Sequence, residues 1–177
     1  LSLKGLVISG AKKFYACFRV VARSTRHAGD LTCKGRAALG KSFRIGHVLQ
    51  APDEMGLRSN FIGVMAPEDN TDVYLSGFDP GTHFRIGDRD VQLNGPAQFN
   101  LNKGQSIVFS QYITNNFNQP PNGFMGALLE SDKPVVVNSG SWLGAPVQQQ
   151  AYDIGIDQIA PFEQVGKEYI LCKGNGA

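Results

Sequence analysis

Cysteine, histidine, tryptophan and charge are all scarce in this chain, and each scarcity removes a class of function. The 3 cysteines are Cys17, Cys33 and Cys172, an odd number that leaves at least one unpaired, and no Cys-x-x-Cys spacing supports a zinc site. The 3 histidines, His27, His47 and His83, are spread widely, and two imidazoles without a third ligand make a poor metal site. Charged residues are 18% of the chain and the net charge is +2, with Lys12-Lys13, Arg19, Arg23 and Arg26 scattered and no basic run, so neither nucleic acid nor a membrane surface is an expected partner. No apolar stretch is long enough to span a bilayer, so membrane insertion is not expected. No Gly-x-Ser-x-Gly elbow exists, because Asn138-Ser139-Gly140-Ser141-Trp142 lacks its first glycine, and no phosphate-binding glycine loop is present. With no assembled nucleophile, base and orienting acid, the expectation is a protein that is not an enzyme. Leu1-Ser2-Leu3-Lys4-Gly5-Leu6 has no charged region leading a long apolar core and no initiator Met; the expectation is a processed or excised piece whose signal, if it had one, is gone.

Glycine and phenylalanine are abundant instead, at 21 and 11 residues. Short alternating runs succeed one another, and no window carries a sustained helical period between caps. Phe14–Val21 reads as a strand. Phe61–Ala66 and Asp72–Ser76, split by the polar turn Pro67-Glu68-Asp69-Asn70-Thr71, read as a hairpin with a longer loop. Phe84–Gly87, Val91–Leu93, Gln98–Leu101 and Ser106–Phe109 follow. Phe124–Leu129 ends at a turn over Ser131-Asp132-Lys133-Pro134, and Pro134 can open the next strand, Pro134–Asn138. The predicted fold is all-β, a β-sandwich-like antiparallel module, with a propeller-like β array as the alternative.

One phrase occurs twice. Gly40-Lys41-Ser42-Phe43-Arg44-Ile45 returns as Gly166-Lys167-Glu168-Tyr169-Ile170-Leu171, each after a strand-like run and a less regular stretch. Shared order at long spacing is the mark of a repeated supersecondary unit. On this reading residues 1–177 are a single β-rich module cut from a larger multidomain protein, with 1–48 the end of one repeat unit and 49–171 the following unit. A cut through a repeat leaves open strand edges, so association through the ends is expected.

An ordered set of segments adds a resemblance. Val64-Met65-Ala66-Pro67-Glu68-Asp69-Asn70-Thr71-Asp72-Val73, Leu101-Asn102-Lys103-Gly104-Gln105-Ser106, Ser131-Asp132-Lys133-Pro134-Val135-Val136-Val137-Asn138-Ser139-Gly140, Asp157-Gln158-Ile159-Ala160-Pro161 and Gly166-Lys167-Glu168-Tyr169-Ile170 together resemble the N-terminal domain of the IgG-Fc-binding protein family. The Phe-Arg-Ile-Gly element and the Asp-Ile-Gly-Ile-Asp-Gln segment are similar to its large bacterial, Bacteroidota-like surface members. Pro67 and Pro161-Phe162 depart from the family pattern at turns. The resemblance implies a secreted or cell-surface, non-enzymatic adhesion module that binds glycan, mucin-like or protein partners. Fc binding itself belongs to particular members, and no residue set here carries it.

Candidate sites are few. Glu68, Asp69 and Asp72 put several oxygens on one turn, as calcium would require, but the spacing is not that of an EF-hand, and a solvated turn explains them too. Asp153 and Asp157, with Asp88 or Asp90, make a second acidic group open to the same two readings. No other cofactor is expected. Cys17 and Cys33 could form a disulfide if their segments are neighbours, or be two buried thiols. His47 and His83 would approach each other if the two Phe-Arg-Ile strands paired. Trp142, with Tyr152 beyond it, is the candidate ligand-binding aromatic, since exposed rings on β scaffolds stack on sugar faces; packing into a core or interface is the competing role. The competing functions are an adhesion module, a structural spacer that docks with neighbouring domains or self-associates, and, last, a carbohydrate-active enzyme.

Overall fold

The alternating runs become strands. A computed structural model describes residues 3–22, 27–48, 58–112, 120–144 and 152–170. Its strands are β1 (Leu3–Lys4), β2 (Cys17–Val21), β3 (Ala28–Thr32), β4 (Gly40–Arg44), β5 (Ser59–Met65), β6 (Thr71–Ser76), β7 (His83–Ile86), β8 (Arg89–Gln92), β9 (Ala97–Leu101), β10 (Gln105–Tyr112), β11 (Leu128–Gly144) and β12 (Asp153–Gln158). Every described pairing is antiparallel. Cys172, Arg23, Arg26, Gln148–Gln150 and most of the polar loop from Asn115 lie outside the described residues.

The fold is an all-β sandwich, not the propeller-like alternative, and β11 is its spine. This strand is 17 residues long and belongs to both sheets. Leu128–Ser131 pairs with β6, and Leu128–Glu130 with β4; Val136–Trp142 pairs with β5, and the stretch beyond Asn138 with β12. One sheet therefore runs β9-β6-β11-β4, and the other β8-β7-β10-β5-β11-β12. The turn expected over Ser131–Pro134 is instead a corner inside a continuous strand. The β4 register jumps there between Glu130 and Val135, and Pro134, which has no N–H to donate, occupies the unpaired stretch.

One further expectation changes. β5 and β6 do not form a hairpin: β5 pairs with β10 and β11, and β6 with β9 and β11. Their connection crosses from one sheet to the other, so Pro67–Asn70 is an arch. Asn70 takes φ 52 there, a backbone region asparagine tolerates, and Thr71 Oγ1 donates to Glu68 O at 2.9 Å. The two Gly-Lys phrases also differ. Gly40–Arg44 is β4, with Phe43 fully buried, whereas Gly166–Ile170 is irregular and Ile170 is 91% exposed.

Period-2 alternation places Val73 and Leu75 of β6, Ile62 and Val64 of β5, Ile107 and Phe109 of β10, and Val135 and Val137 of β11 between the sheets. Phe84 is the hub of the aromatic packing, stacked on Phe124 at 5.9 Å and edge-on to Phe78 at 5.2 Å and Phe109 at 6.2 Å.

β2 and β3 form a separate two-stranded ribbon. It lies against β12, on the outer face of the second sheet.

Candidate functional site

The ribbon is fastened to β12 by polar groups along its length. Asp153 Oδ1 accepts from Ala28 N at 2.9 Å and from its own neighbour Ile154 N at 2.8 Å, with His27 Nδ1 3.8 Å away. Lys34 N donates to Gln158 Oε1 at 2.5 Å; Lys34 Nζ bonds Asp157 Oδ1 at 2.6 Å and also the Gln158 carbonyl. Gly29 permits the approach, since a Cβ there would lie 2.7 Å from Ile154 Cγ2. The acidic pair Asp153 and Asp157 is thus a set of ribbon anchors. Asp88 and Asp90 are elsewhere: Asp88 follows Gly87 in the tight β7–β8 turn, and Asp90 forms a two-pronged ion pair with Arg85 at 2.7 and 3.0 Å. That guanidinium holds the Asp90 carboxyl below the usual carboxylate range.

Between ribbon and sheet lies a concavity of about 150 Å³. Phe18 and Val20 of β2 and Leu31 of β3 form one wall; Phe61, Asn138, Trp142, Ile154 and Ile156 form the other. Alternation explains the grouping. In β11 the odd residues from Val135 to Leu143 face the core, so Asn138, Gly140 and Trp142 face outward. In β12, Ile156 sits opposite Gly140 and so shares that outward face with Ile154. Gly140 leaves room for the Phe61 ring, whose Cζ would be 2.9 Å from a Cβ there.

Trp142 stands at the rim and is 37% exposed. A β-bulge immediately follows it: the register runs from Ser141 opposite Gly155 to Gly144 opposite Asp153, three steps against two. Inside the bulge Leu143 has φ 58. A non-glycine residue in that region costs about 1–2 kcal/mol, and bulges of this kind re-aim the neighbouring side chain. Asn138 is a polar member of the lining, and its Oδ1 is buried without a hydrogen-bond partner among the described residues.

Tyr152 does not line this concavity. Its ring packs on His27 at 5.0 Å, with the Arg58 guanidinium 5.6 Å from its centroid, at the loop end of the ribbon. Cys17 and Cys33 are both free thiols, Cys17 exposed and Cys33 half-buried. Cys17 is opposite Thr32 in the ladder, so Cys33, one residue further on, points to the other face of the ribbon; the disulfide geometry fails on parity. Glu68, Asp69 and Asp72 serve the arch. Asp69 Oδ1 accepts from Lys103 N at 2.9 Å, Asp72 Oδ1 from Asn100 Nδ2 at 2.9 Å, and Lys133 Nζ bonds the carbonyls of Asp69 and Asn70 at 2.6 and 3.0 Å. The ammonium thus contacts carbonyl oxygens of the kind a calcium ion would use. Among the described residues no three His, Cys, Asp or Glu side chains come together as a metal site requires. His47 and His83 are not brought together by strand pairing, because β4 pairs with β11 and β7 with β10 and β8. His47 Nδ1 donates to Val48 O at 2.8 Å, its ring meets Phe124 edge-on at 5.0 Å, and burial lowers its pKa.

Sequence reasoning missed the polar side chains on the inner face beside the site. Ser141 Oγ is 2.9 Å from Asn60 Oδ1, Asn60 Nδ2 donates to Pro121 O at 3.2 Å, Gln111 Nε2 to Pro120 O at 2.7 Å, and Ser139 Oγ to Gly46 O at 2.7 Å. These bonds tie the crossing segments to β5, β10 and β11. A second concavity, about 260 Å³, is lined by Gly77, Phe78, Pro80, Gly81 and Leu93–Pro96, none of which has a titratable side chain.

A family model described as IgGFc binding protein matches residues 29–177. The family is one of extracellular binding domains, not of enzymes. Comparison with curated proteins gave no match, and comparison with solved structures gave none. Among the described residues no helix is long and apolar enough to cross a membrane.

Proposed function

The chain belongs to the IgG-Fc-binding protein family, and from that premise we propose that it is an adhesion module of a secreted or cell-surface protein, holding a glycan, mucin-like or protein partner without turnover. The observation that carries this reading is the aromatic rim of Trp142, held partly exposed beside a concavity by a strained bulge. Strain persists only where surrounding structure over-determines it, and it gathers at functional positions. Tyr152 extends the aromatic surface along the ribbon. Calcium has at most an accessory role through the arch at Glu68, Asp69 and Asp72. The test is binding of the purified domain to a glycan and mucin array with and without calcium. Saturable binding to one class, lost in Trp142→Ala with the fold intact by circular dichroism, is the expected result. A blank array removes the glycan and mucin forms of the adhesive reading and leaves the protein form.

One observation favours a second reading, a spacer that docks with neighbouring domains or with itself. Leu6, Val7, Ile8 and Tyr15 near one end, and Phe162, Tyr169 and Ile170 near the other, are exposed apolar residues. Such surface normally finds cover. Sedimentation that stays monomeric at high concentration would remove the self-association form of this reading.

A further inference from the structure

We infer that the concavity under the ribbon receives one apolar side chain of a polypeptide partner, whose neighbouring backbone N–H donates to Asn138 Oδ1. The inference rests on the binding-module reading and names the chemistry of its ligand.

Three observations converge on it. The volume, about 150 Å³, matches a benzene-sized or leucine-sized group. The walls are Phe18, Val20, Leu31, Phe61, Trp142, Ile154 and Ile156, which supply dispersion contacts from both sides. The lining's polar side-chain groups are the Trp142 indole N–H at the rim and the Asn138 amide, whose Oδ1 is a buried acceptor without a donor among the described residues. A ligand N–H restores that bond.

The same features reject the alternatives. A sugar ring brings several hydroxyls, and a single amide cannot satisfy them all once buried. A charged group would find no counter-ion in the lining, which carries no charged side chain. A peptide presents an apolar side chain and an N–H a few bonds apart, which is the combination this lining accepts. Phe18, 51% exposed, and Trp142 at the rim leave the concavity open to solvent.

Trp142 is the 1 tryptophan of the chain, so intrinsic fluorescence reads the concavity directly. The probes are N-acetyl-leucine methylamide, toluene and methyl N-acetylglucosaminide. The first two should saturate in the millimolar range with a shift to shorter wavelength, and the sugar should not. Val20→Phe, or Ile156→Phe should that variant fail to fold, fills the space and should abolish both responses. Asn138→Ala should weaken the amide probe about fivefold, the worth of one hydrogen bond, and leave toluene within about twofold. Saturation by the sugar alone, no saturation by the amide probe, or equal weakening of both probes by Asn138→Ala would each overturn the inference. If the probes fail while array binding still depends on Trp142, the pocket falls and the module reading stands. If the probes bind and the array is blank, the pocket stands and the glycan and mucin forms of the module reading fall.

Discussion

Between the sheets, Phe43, Phe84, Phe109 and Phe124 are fully buried, and the Phe84 ring meets those of Phe109 and Phe124. Under the ribbon, Phe18 is half exposed, Phe61 is only partly covered, and a cavity remains among similar side chains. The residue types are alike; the closure is not. The core is sealed because β11 turns a corner and contributes to both sheets, whereas the ribbon is a two-stranded lid held at its margins by Asp153, Asp157 and Gln158. A two-stranded ribbon is marginal alone and leans on what it covers. Stability therefore resides in the sandwich, and adaptable surface resides under the ribbon. The contrast has a direct test. Phe84→Ala should cost about 3–5 kcal/mol, a fall of about 6–20 °C in Tm, because the packed site cannot collapse. Phe61→Ala, already beside a void, should cost about 1–2 kcal/mol by denaturant titration. Equal losses would mean that the ribbon interface is as tightly packed as the core.

A smaller effect separates the regions by pH. His47 lies at the core margin against Phe124, and burial lowers its pKa from 6.5. The unfolded chain therefore takes up a proton at His47 more readily than the folded one. Its contribution is fully present above about pH 6.5 and is lost as pH falls through that value towards the lower folded pKa. Thermal unfolding followed from neutral pH to about pH 5 should show Tm falling, and His47→Gln should flatten that part of the slope. A slope unchanged in the variant would assign it to other groups.

Much of the fold was legible because alternation is local. Val73 and Leu75, Ile107 and Phe109, and Val135 and Val137 announce their buried face in their spacing. The corner at Ser131–Pro134 was read as a turn because proline and aspartate carry turn chemistry; that β11 continues through it depends on partners, β4 and β5, far away in sequence. The arch misread as a hairpin fails for the same reason. The site was half legible. Asp153-Ile154-Gly155-Ile156-Asp157 and Cys17-Phe18-Arg19-Val20 each alternate plainly, and Trp142 was visible as a lone tryptophan. What local pattern does not encode is that these segments share one cavity with Asn138, since that follows from the pairing of β11 with β12 and the docking of the ribbon. Cys17 and Cys33 show the opposite case: residue parity in the β2–β3 ladder was enough to exclude the disulfide once the register was known.

The smallest effect is the most discriminating for the ribbon. Lys34 and Asp157 form an ion pair with side chains 37% and 70% exposed, so Asp157→Asn should change global stability by less than about 1 kcal/mol. Its local effect should be larger than its global one. The pair sits where the ribbon leaves β3, and loosening it releases one margin of the lid while Asp153 still holds Ala28 at the other. Native-state hydrogen exchange should therefore show faster exchange at ribbon amides such as Phe18 and Leu31, with those of Ile62 and Val64 in β5 unchanged. If β5 and the ribbon accelerate together, they open as one cooperative unit, and the distinction between sealed core and movable lid is lost. If only the ribbon accelerates, the concavity beside Trp142 is bounded by a wall that can yield to a partner at little cost to the rest of the fold.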